Sequence, residues 1–165
     1  MSKKLSIFSF EGLLLRCPKM SNNIDEWIKE ENCLFYPFVP DLPGHKAWDS
    51  FACSFLESAN KEMNHDVIVI SKTLDDGKKN SKRIKFLLST LKISVPEIFN
   101  KSKNITDEDF FRKEVSLYLS KSQNNNSKYE EVDLFFKDLD TSKKLADFII
   151  QNFSLTTRIH DLYSS

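Results

Sequence analysis

Val67-Ile68-Val69-Ile70 is a run of four β-branched residues with no polar residue between them. A strand of that composition is covered on both faces, as in parallel sheets flanked by helices. Upstream, Leu5-Ser-Ile-Phe-Ser-Phe10 is short, apolar and aromatic and stops at Glu11-Gly12, which reads as a strand running into a turn. Between these strands, Ala47, Trp48, Phe51, Phe55 and Ala59 recur at three- and four-residue steps within Lys46 to Met63, the spacing of one helix face. Downstream, Asp75-Asp76-Gly77 signals a turn, and Ile84, Leu87, Leu88 and Leu91 trace a second helix. Val95 to Phe99 is a short strand. Thr106-Asp-Glu-Asp109 supplies an N-cap and acidic first turn for a helix through Phe110, Val115, Leu117 and Leu119. Ser120 to Lys128 reads as a polar, mobile loop, Val132 to Phe136 as a strand, and Thr141 to Phe153 as a helix with Leu145, Phe148, Ile149 and Phe153 inward. Strand and helix alternate, which predicts an α/β, three-layer, Rossmann-like, mostly parallel sheet with helices on both faces.

The chain has 165 residues, the size of one domain, and we expect a single unit over 1–165. Residues 18–45 hold Pro18, Pro37, Pro40 and Pro43 with Trp27, Tyr36 and Phe38 among them, an excursion with one helical turn near Ile24 to Lys29. Lys and Arg number 24 and Asp and Glu 24, so no partner is selected by overall charge. Cys17, Cys33 and Cys53 form neither a CxxC pair nor an even set, and are expected as lone buried thiols. With no apolar run of spanning length and no signal-peptide core at the start, the reading is intracellular, cytoplasmic or nuclear, with no membrane partner. His45, His65 and His160 lack ligand spacing and are expected to be structural or surface residues.

In such sheets the ligand site lies at the carboxyl ends of the strands, where the strand order switches. Four segments should converge there: Ser9 to Leu13, Ser71 to Thr73, the region around Thr106, and Lys137 to Asp140. The first, Phe8-Ser-Phe-Glu-Gly-Leu-Leu-Leu-Arg-Cys-Pro18, resembles the opening motif of the haloacid-dehalogenase (HAD) superfamily, Phe-Asp-Phe-Asp-Gly-Thr-Leu. The trailing Arg-Cys-Pro resembles the Arg-Thr-Pro of the Swiss-Army-Knife RNA-repair-like branch. Ser71-Lys-Thr73, Thr106…Phe110-Phe-Arg-Lys113 and Leu134-Phe-Phe-Lys-Asp-Leu-Asp140 are similar to that branch's later motifs, in order, over roughly residues 5 to 153.

The resemblance implies roles. Ser9 stands where the family has its nucleophilic aspartate, and a neutral hydroxyl forms no aspartyl phosphate. Glu11 stands at the acid/base position, one methylene longer than aspartate, and Leu13 replaces a phosphate-contacting threonine. Ser71 keeps the phosphate-contact hydroxyl, and Lys113, or Arg112 one residue earlier, supplies the balancing cation. Glu11, Asp138 and Asp140 are the candidate metal ligands, a poor hard-oxygen set without a carboxylate at residue 9. Asp138 and Asp140 read equally as a turn and N-cap pair.

Lys72 to Lys103 holds nine basic and three acidic residues, a local charge of +6, and Lys78, Lys79, Lys82, Arg83 and Lys85 are its candidate nucleic-acid contacts. Trp27, Tyr36, Phe38 and Trp48 form either a partner patch or a small core under the excursion. The reading is therefore a catalytically degenerate HAD-like domain, a pseudophosphatase with no resident cofactor, serving as a binding or assembly subunit. A protein is its expected partner and RNA the second candidate. The alternative is a Mg²⁺-dependent phosphoester hydrolase of altered active site, acting on RNA ends or a small phosphorylated molecule.

Overall fold

The structure, a computed structural model, describes residues 3–74, 77–94, 97–102, 104–124 and 129–162. In chain order the elements are β1 (Lys4–Ser9), α1 (Ile24–Lys29), α2 (Ser50–Lys61), β2 (His65–Leu74), α3 (Lys79–Ser89), β3 (Glu97–Lys101), α4 (Asp107–Asn124), β4 (Glu131–Phe135), α5 (Leu139–Phe153) and β5 (Thr156–His160). All five strands are parallel, in the order β3-β2-β1-β4-β5. Ile7 at the centre stands between Ile68 and Leu134. Strand order reverses at β1, so the switch point lies beside its carboxyl end.

The Val67 to Ile70 run is apolar because each face of β2 needs two of its residues. Val67 and Val69 enter the core with Phe8, Leu56, Ile84 and Phe135, whereas Ile68 and Ile70 join Leu5, Phe110, Val132 and Ile149 on the other side. Burying each such side chain contributes about 1.5–3 kcal/mol. Helices α2 and α3 and the excursion belong to the first core, and α4 and α5 to the second, giving the three-layer α/β sandwich.

Several local expectations need correction. Helix α2 begins only at Ser50, capped by Asp49, whose carboxylate accepts from the Ala52 N–H at 2.9 Å. Its buried stripe is Ala52, Cys53, Leu56 and Ala59, and Phe51 and Phe55 are exposed, because the small side chains let the helix approach the sheet closely. Leu117 is likewise exposed, since Phe111, Val115 and Leu119, at strict four-residue steps, form the inward row of α4. Residues 120–124, expected to be loop, continue α4, and the rest of that expected loop lies outside the described residues. Asp75, Asp76, Val95 and Pro96 also lie outside them, while Gly77 adopts φ +58° as a turn residue does. β5 forms beyond Phe153, where no element was expected.

The excursion is part of the core. Trp27 and Trp48 are buried, Phe35 and Phe38 pack against the cluster, and Tyr36 is exposed. The Trp27 indole N–H donates to the Cys33 carbonyl at 2.7 Å. Cys33 and Cys53 are buried free thiols, both pushed up to about 12 by desolvation, and Cys17 is half-buried. Among the described residues no helix is long and apolar enough to cross a membrane.

Candidate functional site

Three of the four expected segments meet at the switch point. After β1 the chain turns sharply: the Leu14 and Leu15 N–H groups both donate to the Phe10 carbonyl at 3.1 Å, and the Gly12 N–H donates to the Leu15 carbonyl at 2.7 Å. Gly12 has φ +84°, and a Cβ there would stand 2.4 Å from the Ile24 Cδ1 of α1. Glycine is required by both the dihedral and the close approach. The turn directs Glu11 back under the sheet end. A cleft of about 200 Å³ is lined there by Ser9, Glu11, Asp25, Lys72, Lys137 and Asp138.

Glu11 is 3% exposed. One carboxylate oxygen accepts from the Ser71 hydroxyl and the other from the Lys72 N–H at 3.0 Å. Behind Ser71, its hydroxyl pairs with that of Thr73, which in turn accepts from the Asn100 amide at 2.9 Å. β2 thus runs through Ser71 and Thr73 as a strand, and these hydroxyls form an inward polar row fixed to Glu11. Burial pushes the Glu11 carboxyl above its ordinary value of 4.5, opposed by the Ser71 and Lys72 hydrogen bonds.

That shift fixes a pH dependence. The folded protein holds the Glu11 proton more tightly than the unfolded chain does. Its stabilising contribution is full below 4.5 and is lost as pH rises through the folded value. Glu11→Gln keeps a neutral group of the same shape and has no such loss. Melting temperatures of both proteins from about pH 4 to about pH 8 should show a gap in favour of the glutamine that widens with pH; a constant gap would contradict the assignment.

Asp138 lines the same cleft but is the N-cap of α5: Oδ1 accepts from the Asp140 N–H at 3.0 Å and Oδ2 from the Thr141 hydroxyl at 2.9 Å. Asp140 stands outside the cleft and pairs with Lys144 at 3.3 Å. Lys113 is exposed on α4 and Arg112 lies 3.9 Å from Glu108, so neither lines the cleft. Lys72 and Lys137 are the cations that do, and Lys72 pairs at 3.6 Å with Asp107, which also takes Lys101 at 2.9 Å. The fourth expected segment joins the site through that pair. A larger cleft of about 730 Å³ shares Asp25 and Lys72 with the first and runs on to Lys79 and Lys101.

Of the expected nucleic-acid contacts, Arg83 is 7% exposed, with its guanidinium donating to the Leu34 and Val39 carbonyls and to Asp41. It serves the excursion. Lys78, Lys79, Lys82 and Lys85 remain exposed at the start and along α3, with Lys79 donating to the Asn32 side chain and lying over the Phe35 ring.

No family model and no curated protein matches the sequence. Two solved structures are similar to it: the HAD domain of effector protein Lem4 from Legionella pneumophila, with TM-score 0.56 and 15% identity, covering 97% of this chain and 86% of that one; and an inactive mutant of that domain, with TM-score 0.58 and 15% identity, covering 98% of this chain and 86% of that one. Together with the five-stranded parallel sheet and its layers, this likeness shows that the chain has a HAD-like fold.

Proposed function

We propose that this chain is a HAD-like domain without phosphoryl-transfer chemistry that serves as a binding or assembly subunit, with a protein as its partner. One observation carries the reading: the carboxylates at the ends of β1 and β4 are consumed by the protein itself. Both oxygens of Glu11 and both of Asp138 accept hydrogen bonds from the chain, and Ser9 brings no charge. Among the described residues no three His, Cys, Asp or Glu side chains are grouped to hold a metal. Mg²⁺, which the resembled phosphatases use, requires several free hard oxygens in octahedral array, and this donor set does not fit it.

The RNA-repair-like subtype rests on the motif resemblance, and an RNA partner has Lys78, Lys79, Lys82 and Lys85 as its remaining candidate contacts, since Arg83 is committed inward. Binding through four lysines should weaken steeply with added salt, with a log–log slope of about −3 on single strands, and a flat response would remove RNA from consideration. A hydrolase of altered chemistry is the second reading. It is favoured by the Glu11 carboxyl, raised by burial beside Lys72 as a proton donor's would be.

Thermal shift with Mg²⁺ and beryllium fluoride, run on wild type and Ser9→Asp, tests the proposal. Binding at tenfold over Kd would add about 1.4 kcal/mol and a few degrees. Wild type is expected not to move. A shift in wild type, or Mg²⁺-dependent phosphatase activity abolished by Glu11→Gln, would overturn the reading in favour of the hydrolase. A shift in Ser9→Asp alone would assign the silence to residue 9.

A further inference from the structure

The larger strand-end cleft, of about 730 Å³, has the size of a small-molecule site. Two bodies of chain enclose it: α1 with the turn that follows it, and the ends of β2 and β3 with the first turns of α3 and α4. Their charges are opposite. The sheet side carries Lys72, Lys79 and Lys101 against Asp107 alone, whereas the α1 side carries Asp25, Glu30 and Glu31 against Lys29 alone. The lining is neutral as a whole, with two positive charges in excess on one side and two negative on the other.

We propose that this cleft binds a dipolar ligand, a carboxylate and an ammonium joined by a short apolar chain, with its carboxylate on Lys72 and Lys101. Asp107 holds those two ammonium groups together, at 3.6 Å and 2.9 Å, and both side chains are only 21% exposed. One carboxylate neutralises one of them. A second, from outside, completes the pairing and offsets the cost of keeping two covered ammonium groups side by side. Lys79 has no anionic partner among the described residues: it donates to the neutral Asn32 amide and lies over the Phe35 ring, 4.8 Å from its centroid.

The α1 side decides against a simple anion. Asp25, Glu30 and Glu31 are exposed and form no ion pair among the described residues. Their backbone is fixed: the Glu30 N–H donates to the Trp27 carbonyl at 3.1 Å and the Trp27 indole to the Cys33 carbonyl at 2.7 Å, so this wall is built before a ligand arrives. A dianion would set one end against these carboxylates, and a dication would set one end against the lysines. A ligand with one charge of each sign meets the opposite charge at both ends. Ile28, Cys33 and Leu74 supply apolar surface for the chain between them.

A free ω-amino acid and the C-terminal lysine of a partner protein share this chemistry; the second rests on the assembly role proposed above, and the first does not. NMR titrations of the full chain with ε-aminocaproate, adipate and hexamethylenediamine, three probes of one length, test the charge pattern, and acetyl-Gly-Gly-Lys with a free carboxyl end tests the source. Saturable shifts at Asn32, Glu31 and Lys101 are expected with ε-aminocaproate, at an affinity about tenfold or more above that for either of the other two. Lys101→Met should weaken it about tenfold, and the double variant Glu30→Gln, Glu31→Gln should remove the preference over adipate. If Lys101→Met fails to fold, the exposed glutamate pair decides. Binding of the peptide at equal or higher affinity assigns the site to a partner's terminus, and weaker binding assigns it to a free amino acid. No saturable shift at about 10 mM ε-aminocaproate or peptide, beyond a salt control of equal ionic strength, overturns the proposal, as does adipate binding as tightly or unchanged behaviour in the variants. Mg²⁺-dependent phosphatase activity would overturn the function proposed above and leave this site standing.

Discussion

Trp27→Ala is expected to destabilise the fold by about 3–5 kcal/mol, the loss typical of truncating a fully buried large aromatic side chain. Trp27 has 0% exposure, although it sits in a six-residue helix whose other residues are exposed or half-buried. A helix that short has no stability of its own. It exists because Asn23 caps it, accepting from the Glu26 N–H at 2.8 Å, and because the indole is inserted into the core with its N–H on the Cys33 carbonyl at 2.7 Å. Removing the ring opens a cavity and leaves that carbonyl unpaired. Trp27→Phe keeps most of the packing and loses the hydrogen bond, for an expected cost of about 1–2 kcal/mol. The consequence reaches the site, since Ile24 and Asp25 of α1 wall the strand-end cleft. Urea unfolding should show the difference as a lower midpoint at unchanged slope. A cost under about 1 kcal/mol would mean that the excursion is a loosely tethered flap.

What was legible in the sequence was what depends on neighbours in the chain. The Val67 to Ile70 run specified a strand buried on both sides, and the Thr106 cap is as read, with the Thr106 hydroxyl accepting from the Asp109 N–H at 3.2 Å. The α2 stripe was misread because aromatic residues outrank Ala52 and Cys53 in apolarity, while close helix–sheet packing favours small side chains. β5, Thr-Thr-Arg-Ile-His, has no apolar run because it is an edge strand with one covered face, and only its parallel pairing with β4 defines it. At the site, Ser9, Glu11 and Asp138 were singled out and do share a cleft. That Glu11 is bound by Ser71 and by the backbone of Lys72 required contacts across 60 residues. Lys72 was visible only within the similar Ser71-Lys-Thr73 segment and as the first of the nine basic residues from Lys72 to Lys103. That Lys72, together with Lys137, lines the cleft in place of Lys113 follows from β2 ending beside β1, which no local pattern encodes.

Arg83→Ala is expected to cost about 3–4 kcal/mol, because a buried guanidinium that satisfies several acceptors leaves them unpaired when it is removed. Its Nε donates to the Leu34 carbonyl at 2.9 Å, Nη2 to the Val39 carbonyl at 3.2 Å and Nη1 to Asp41 at 2.8 Å, with the plane over Phe35 and Phe86. The carbonyls carry the effect. Asp41 is 80% exposed, so Asp41→Ala should cost under about 1 kcal/mol, as exposed partners do. Arg83→Lys restores the charge without the planar fork and should recover less than half of the loss. An arginine kept for nucleic acid would behave in the opposite way, with stability unchanged and salt-sensitive binding reduced. Arg83 grips residues 34–41 from α3, and Trp27 grips the preceding residue 33 from α1. Once either grip is released the same segment has less order left to lose, so the double variant should fall short of the sum of the single losses by about 1 kcal/mol. Strict additivity would mean that the two side chains hold independent parts, and that the wall of the strand-end cleft is fixed by α1 alone.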